Sequence, residues 1–207
     1  MNILLKIGND VSKKNVFKSI FIKCDTDKVT AGYEVAYEEV FSPIRDKIKL
    51  LFEIGVCRGG SVRGFKEYFP NATIVGLEIN SKYFFKDDHI KIEIGNAINK
   101  DFINMILAKY GNPDVVIDDG SHFSRDIKTS FNLLYPHTKI CYVIEDYSTQ
   151  SKNFQQGYYV NDNIPATIIA HQEIDKLLLE LGTSKNSIKV YRSICFFFNE
   201  ENIPNDS

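Results

Sequence analysis

The feature that most constrains the fold is an alternation, from residue 50 onward, of short runs rich in Val and Ile with longer segments of helical spacing. The short runs are LLFEIGV, TIVGLEI, IKIEIG, DVVIDD and ICYVIED, each bounded by Gly, Asp or Asn. The segments between them include SVRGFKEYF, KDFINMILAKYG and RDIKTSFNLLY. Continuous apolar runs are typical of strands buried on both faces. Strands that alternate with helices predict βαβ units, and therefore an α/β fold with a doubly wound, mostly parallel sheet.

The chain shows no repeat, no low-complexity tract and no linker, so we predict a single domain over residues 1–207. Residues 1–45 would form an N-terminal helical cap and residues 50–200 the Rossmann-like core. Within the cap, YEVAYEEVF predicts a helix from Tyr33 to Phe41 that stops near Pro43, whose ring cannot continue the hydrogen-bond ladder.

The C-terminal part is predicted to complete the sheet and to cover one of its edges. The polar stretch 148–163 is interpreted as a loop or lid over the ligand-binding edge, and 166–182 has a helical pattern. The tail SIKVYRSICFFFNE (187–200) predicts two closing strands or one long bent strand, with an antiparallel strand at the C-terminal end of the sheet.

Composition argues against several classes of partner. A net charge of -2 and a pI near 6.1 leave no basic stripe of the kind that binds nucleic acid. No apolar run approaches the roughly 20 residues that cross a bilayer, and the N-terminus does not resemble a signal peptide. The scattered cysteines Cys24, Cys57, Cys141 and Cys195 predict free thiols in a reducing cytoplasm. A homo-oligomer is left open.

The first strand runs into a glycine turn that predicts a cofactor site. In LFEIGVCRGGS, Glu53 and Gly55 end the strand, and Gly59 and Ser61 lead into a helix whose N-terminus offers free N–H groups. The spacing is not G-x-G-x-x-G, which disfavours a dinucleotide. It reads as E-x-G-x-C-x-G and resembles the first motif of class I methyltransferases, with Cys57 where glycine is commoner. The alternative is a turn that uses glycine for packing alone.

Two residues at later strand ends are further cofactor candidates. Glu78 ends the second strand, where a carboxylate can accept both hydroxyl protons of an adenosine ribose. The alternative is a solvated acid at a strand end. Asn96 follows the third strand, at a position that often faces the adenine in methyltransferases.

Carboxylates follow both the fourth and the fifth strand. Asp118 and Asp119 end DVVIDD, and Glu145 and Asp146 end ICYVIED. If these strands are neighbours, roughly 4.8 Å apart, their acids converge at one edge of the sheet. Such a cluster is costly unless protons or a cation neutralise it, and a hard divalent ion with oxygen ligands, Mg²⁺, Mn²⁺ or Ca²⁺, fits best. His122 beside them would be a proton acceptor. The alternative is that the first pair caps a helix and the second faces solvent.

Together these motifs carry a family resemblance. DVVIDDGSH, YVIEDY, LFEIGVCRGGS and YFPNATIVGLEIN resemble the metal-dependent class I methyltransferases of the macrocin and mycinamicin sugar O-methyltransferase type, whose catalytic domain cephalosporin hydroxylase-like proteins share. The resemblance implies Asp119, Glu145 and Asp146 as metal ligands and His122 as base, with Asp118 nearer the methionine end of the cofactor. DKVTAGY (27–33) lacks the histidine usual in the corresponding segment.

The resulting expectation is an S-adenosylmethionine- and divalent-metal-dependent O-methyltransferase, with Mg²⁺ as the expected metal. Its acceptor would be a hydroxyl of a sugar or sugar-containing small molecule. Two alternatives stay open at this point, a nicotinamide-dependent oxidoreductase and a non-catalytic module that binds a nucleoside ligand.

Overall fold

The fold is a seven-stranded sheet with helices on both faces. The computed structural model describes residues 15–146, 186–191 and 193–199, together with Gln172 and Asp175. The strands in these residues are β1 (Leu50–Ile54), β2 (Thr73–Glu78), β3 (Ile90–Ile94), β4 (Val115–Asp118), β5 (Cys141–Glu145), β6 (Ser187–Val190) and β7 (Ile194–Phe198).

The strand order is β3-β2-β1-β4-β5-β7-β6. Strands β1 to β5 are parallel, whereas β7 pairs antiparallel with both β5 and β6. The chain winds outward from β1 in one direction and then restarts at β4 on its other side. Ligands of such sheets bind in the crevice at this reversal, beyond the carboxyl ends of the strands.

The α-helices in these residues are α1 (Val16–Phe21), α2 (Glu34–Phe41), α3 (Gly60–Tyr68), α4 (Lys100–Tyr110) and α5 (Ser124–Leu134). Four of the five helices described begin and end close to their predicted bounds, and α1 had no predicted bounds. Side chains cap two of them: the side-chain Oδ1 of Asn15 accepts from the backbone N–H of Lys18, and the Oδ1 of Asn99 accepts from the N–H groups of Asp101 and Phe102. Such caps satisfy amides that have no partner within the helix.

Successive residues of the strands pack into two hydrophobic cores, one on each face of the sheet. In β1, Leu51 packs with Phe17, Tyr37 and Phe65 of α1, α2 and α3. Its neighbour Phe52 packs on the opposite face with side chains of α4 and α5. Because both faces are covered, the central strands β1, β4 and β5 are buried along nearly their whole length, as their sequences predicted, whereas β3 at the edge alternates between buried and exposed residues.

The doubly wound, mostly parallel sheet with an antiparallel C-terminal strand is thus confirmed, and the tail forms two strands rather than one. The predicted loop 148–163 lies outside the described residues, as does the helix 166–182 apart from Gln172 and Asp175. The single domain over 1–207 stays a prediction. Among the helices that the structure describes, none has the length and hydrophobicity to span a membrane.

Candidate active site

A cleft of about 770 Å³ opens at the carboxyl ends of β1, β2 and β4. It lies at the point where the strand order reverses, as expected for this class of sheet. Its lining includes most of the predicted site residues, namely Gly55, Ser61, Glu78, Asn96, Asp118, Asp119, His122 and Asp146.

Gly55 lets the ends of β1 and β4 approach each other at the floor of this cleft. Its φ is +87°, and a Cβ on it would lie 2.2 Å from the carbonyl oxygen of Asp119. Only glycine tolerates both conditions. Gly59, with φ +78°, then directs the chain into α3. The glycine turn is therefore required by close backbone approach, in addition to any role in binding a ligand.

Glu78 holds this turn in place. Its Oε2 accepts hydrogen bonds from the backbone N–H groups of Val56 (2.9 Å) and Cys57 (3.0 Å), and its Oε1 accepts from that of Asn80 (2.8 Å). A carboxylate has about four acceptor positions, so capacity for ribose hydroxyls remains. Asn96 lines the same cleft, and its side-chain oxygen accepts from the N–H of Ile98 at 3.1 Å.

Asp118 is fixed from behind by two buried hydroxyls. Its Oδ2 accepts from the Ser130 hydroxyl and from the Tyr142 hydroxyl, the latter at 2.9 Å. Burial raises the pKa of Asp118, and these hydrogen bonds oppose that rise. The Asp118 carboxyl group is therefore held rigidly at the wall of the cleft.

The inner carboxylates surround a buried lysine from the N-terminal cap. Lys28 is 1% exposed, and its Nζ lies 2.8 Å from Asp119 Oδ2, 2.8 Å from both oxygens of Glu145 and 3.5 Å from Glu53 Oε1. Burial would lower the pKa of Lys28, but Asp119, Glu145 and Glu53 together raise it well above its usual value. The ammonium is therefore charged and neutralises part of this cluster.

Two tyrosines of the same cap contact the acids at the end of β5. The Tyr37 hydroxyl donates to Glu145, and the Tyr33 hydroxyl donates to Asp146 Oδ1 at 2.6 Å. The Asp146 backbone N–H donates to Tyr33 at 3.2 Å. Each acid thus has a partner that sets its orientation.

An outer group of three side chains borders the cleft. The His122 Nε2 lies 3.9 Å from both Asp119 Oδ1 and Asp146 Oδ2. One ligand atom from each of these residues lies within 4.8 Å of the others. His122 and Asp146 both have left-handed backbone conformations, with φ of 59° and 53°. Such conformations cost of order 1–3 kcal/mol in non-glycine residues and tend to occur at functional sites.

The donor chemistry of this outer group fits a hard divalent cation. Mg²⁺ is commonly held by one or two carboxylates, with water and substrate oxygens completing its shell. Asp119 and Asp146 supply such a pair, and both are partly exposed to the cleft. The outer group can therefore hold Mg²⁺ and still leave positions for a substrate oxygen.

Eight of the sequence-predicted residues line the cleft as described, and the two placed deeper are Glu53 and Glu145. Glu53 is fully buried beneath the glycine turn, and Glu145 directs its carboxylate to Lys28 and Tyr37. Gly59 lies at the start of α3 beside the cleft. Coordination of a metal by Glu145 stays a prediction.

Sequence reasoning missed the partners of these acids. Lys28 lies 91 residues from Asp119 and 117 from Glu145 along the chain, so only the fold reveals the contacts. The segment DKVTAGY was the available signal, because it places a lysine and a tyrosine just ahead of α2. Ser130 and Tyr142, which hold Asp118, carry no sequence signal beyond their position in predicted elements.

The raised pKa of the buried Glu53 predicts a specific pH dependence of the protein's stability. Burial raises the pKa of Glu53 to about 7, against the opposing effects of Lys28 and Ser61. Between about pH 4.5 and 7 the folded protein therefore keeps a proton that the unfolded chain has lost, so the contribution of Glu53 to stability falls as the pH rises. Glu53→Gln should gain stability over the wild type across this range, by an amount on the order of a few kcal/mol, and level off above it. Urea denaturation with chelator at several pH values measures this, and parallel curves for the two proteins would refute it.

The chain resembles known enzymes in sequence. It is 32% identical over 139 residues to the 8-demethyl-8-alpha-L-rhamnosyl tetracenomycin-C 2'-O-methyltransferase of Streptomyces olivaceus, a match over 63% of this chain and 37% of that protein. It is 37% identical over 119 residues to the mycinamicin VI 2''-O-methyltransferase of Micromonospora griseorubida, over 53% of this chain and 30% of that protein. The chain thus spans about a third of the length of these curated relatives. No protein-family model matches it.

The structure also resembles that of a solved methyltransferase. The MycE methyltransferase from the mycinamycin biosynthetic pathway, solved in complex with Mg, SAH and mycinamycin VI, superposes with a TM-score of 0.76 at 26% identity. The match covers 95% of this chain and 58% of that one. The sheet is therefore that of a class I methyltransferase, and the resemblance to sugar O-methyltransferases is confirmed.

Proposed function

We propose that this chain, which matches sugar O-methyltransferases in sequence and in fold, transfers the methyl group of S-adenosylmethionine to a hydroxyl of a sugar or sugar-containing small molecule, with Mg²⁺ as its metal. The observation that carries the proposal is the meeting of Asp119, His122 and Asp146 at the border of the cleft. The names of the relatives, which are sugar O-methyltransferases, support the choice of acceptor.

The methyl donor would occupy the cleft along the glycine turn. Gly55, Gly59 and Ser61 would provide close backbone approach, with Glu53 beneath them. Glu78 would accept the ribose hydroxyls and Asn96 would face the adenine. Asp118, fixed by Ser130 and Tyr142, would lie toward the methionine end, where its negative charge suits the cationic donor.

Asp119 and Asp146 would hold the metal. A bound divalent ion supplies Lewis-acid chemistry that lowers the pKa of a coordinated hydroxyl. Glu145, the third acid that the family resemblance implies, has both oxygens on Lys28, so it could reach a metal only by giving up part of that contact. Tyr33 fixes Asp146 through Oδ1 and leaves Oδ2 on the side of His122.

His122 would take the proton of the acceptor hydroxyl. The oxygen then forms a bond to the methyl carbon as the carbon–sulfur bond of the sulfonium breaks, and S-adenosylhomocysteine leaves. The rest of the site orients the two reactants and brings them together, which can contribute about 7–11 kcal/mol toward lowering the barrier.

Replacement of His122 by Asn tests the role of the base. Asn is among the residues that tolerate the left-handed backbone at this position, but it cannot take up a proton near neutral pH. We expect the turnover rate to fall about 10²- to 10⁴-fold, with little change in S-adenosylhomocysteine affinity. His137→Asn, on the exposed turn after α5, is the control and should retain full activity. A turnover rate for His122→Asn within a few-fold of the wild type would exclude His122 as the base.

The proposed activity is measured by transfer of a radiolabelled methyl group from S-adenosylmethionine to a panel of glycosides, with Mg²⁺ or with excess chelator. We expect transfer to at least one glycoside, which chelator abolishes and Mg²⁺ restores. Equal transfer in chelator would contradict the metal role. Tight binding of NAD in place of S-adenosylhomocysteine would favour the oxidoreductase alternative, against which the absent G-x-G-x-x-G argues.

The proposal includes three broader predictions about the protein's location, domain content and partners. They are a cytoplasmic location, a single catalytic domain and no partnership with nucleic acid or membrane. A homo-oligomer is left open here as well. Size-exclusion chromatography with light scattering would determine the oligomeric state.

A further inference from the structure

The inner carboxylates lie around a cation that belongs to the protein itself. Glu53 on β1, Asp119 after β4 and Glu145 on β5 all direct an oxygen toward the Lys28 Nζ, at 2.8 to 3.5 Å. Glu53 and Glu145 are 0% and 1% exposed. Uncompensated carboxylates at such depth carry a large desolvation cost, so this arrangement depends on a positive charge at its centre.

Asp119 connects this inner pocket to the outer group. Its Oδ2 contacts Lys28 at 2.8 Å, and its Oδ1 faces His122 Nε2 at 3.9 Å. Two positions for a cation therefore share one carboxylate. The inner position is where the Lys28 ammonium lies, among Asp119, Glu145 and Glu53. The outer position lies between Asp119, Asp146 and His122.

We propose that Lys28 is a positioning residue that acts as the permanent cation of the inner position and confines the divalent metal to the outer one. This inference rests on the proposed function, since it concerns the metal of that site. The Lys28 ammonium holds Asp119 and Glu145 in place before any metal binds, so that the outer oxygen of Asp119 is already oriented. Tyr33 does the same for Asp146. A site whose ligands are held in advance loses less free energy to reorganisation on binding.

The proposal predicts what happens when the internal cation is removed. In Lys28→Met the inner carboxylates lose their counter-charge, while the volume of the side chain is nearly kept. The space that the ammonium occupied then has oxygens of Asp119, Glu145 and Glu53 around it, which are ligands that a hard divalent ion accepts. Mg²⁺ should therefore substitute for the lysine, and the stability of the variant should become dependent on metal.

Thermal unfolding in excess chelator and in saturating Mg²⁺ tests this. We expect Lys28→Met to unfold about 10 °C below the wild type in chelator and Mg²⁺ to recover roughly half of that loss or more. The wild type should gain only a few degrees from Mg²⁺, because its inner position is already filled. Lys109→Met removes a surface ion pair with Glu93 and is the matched control, for which we expect little change in either condition.

The double variant Lys28→Met/Glu145→Gln separates charge balance from packing. Because it removes both partners of the buried Lys28–Glu145 ion pair, it should be more stable in chelator than Lys28→Met, and its response to Mg²⁺ should be smaller. No greater gain from Mg²⁺ in Lys28→Met than in the wild type would overturn the proposal. A double variant that is no more stable in chelator than Lys28→Met would also overturn it. If Lys28→Met does not fold in chelator, the test is whether the double variant folds there, and its failure to fold would overturn the proposal.

Failure of the proposed function would be visible separately. Binding of Mn²⁺ to the wild-type protein, followed by electron paramagnetic resonance, reports on the outer position. Absence of that binding would contradict the proposed metal site, whereas the chelator measurements on the two variants would still report on the inner carboxylates.

Discussion

Replacement of Asp119 by Asn is expected to reduce methyl transfer about a thousandfold, while the affinity for S-adenosylhomocysteine stays within a few-fold of the wild type. Asp119 contributes Oδ1 to the outer group and Oδ2 to Lys28, so the amide weakens both cation positions at nearly constant volume. The cofactor cleft is otherwise intact, because Gly55 contacts the backbone of Asp119 rather than its side chain. Steady-state methyl transfer at several Mg²⁺ concentrations and calorimetric titration with S-adenosylhomocysteine measure the two effects.

Asp88→Asn provides the control, since Asp88 is exposed and lies outside the lining of the cleft. It should keep full activity and the same dependence on Mg²⁺. If Asp119→Asn were as active as this control, Asp119 would have no role in holding the metal. If it lost cofactor binding as well as activity, its role would be structural.

The second large effect is expected at Gly55, where Ala should lower the free energy of unfolding by more than about 4 kcal/mol. The residue has φ +87°, and the added Cβ would lie 2.2 Å from the Asp119 carbonyl oxygen and 2.9 Å from its carbonyl carbon. Both contacts are backbone atoms at the junction of β1 and β4, so relief requires the two strand ends to separate. Chemical denaturation and S-adenosylhomocysteine binding both report on this change.

Gly111→Ala is a matched control for Gly55→Ala. Gly111 has nearly the same φ, +85°, but a Cβ there meets no atom within 4 Å. It should cost only the backbone strain, about 1–3 kcal/mol, and leave cofactor binding unchanged. Equal destabilisation by the two substitutions would mean that the close approach at Gly55 contributes nothing beyond strain.

The sheet was predictable because its strands are buried on both faces. Leu51 and Phe52 enter opposite cores, so β1 reads as a largely apolar run, and the same holds for β2, β4 and β5. The helices between them begin at residues that the sequence also marks, such as Asn99 before α4. The tail was ambiguous since SIKVYRSICFFF can form one bent strand or two, and only pairing with β5 distinguishes these.

The candidate site was predictable in part, and the missing part comes from contacts distant in sequence. Parallel strands that end at one edge brought Asp119 and Asp146 together as expected. Nothing in the spacing of the acids indicated that Lys28 would reach between them, or that Glu145 would face inward while its neighbour faces the cleft. Adjacent residues at a strand end point to opposite sides, and which side is buried depends on the packing of α2 through Tyr37.

The N-terminal cap is therefore part of the site as well as part of the fold. Lys28, Tyr33 and Tyr37 each contact an acid at the ends of β4 or β5. The Asp25 carbonyl oxygen also lies so close to α3 that a Cβ on Gly60 would come within 2.0 Å of it. This segment crosses the start of α3 and brings the cap over the carboxylates, which explains why the acids can be buried.

The proposed metal site is tested most directly by a crystal structure of the protein with Mn²⁺ and S-adenosylhomocysteine, with the metal located by its anomalous scattering. We expect one peak at the outer position, within bonding distance of Asp119 and Asp146 and beside His122, with the Lys28 ammonium still in contact with Glu145 and the sulfur of S-adenosylhomocysteine in the adjoining cleft. Ordered S-adenosylhomocysteine with no peak near Asp119 and Asp146, under saturating Mn²⁺, would contradict the proposed metal site.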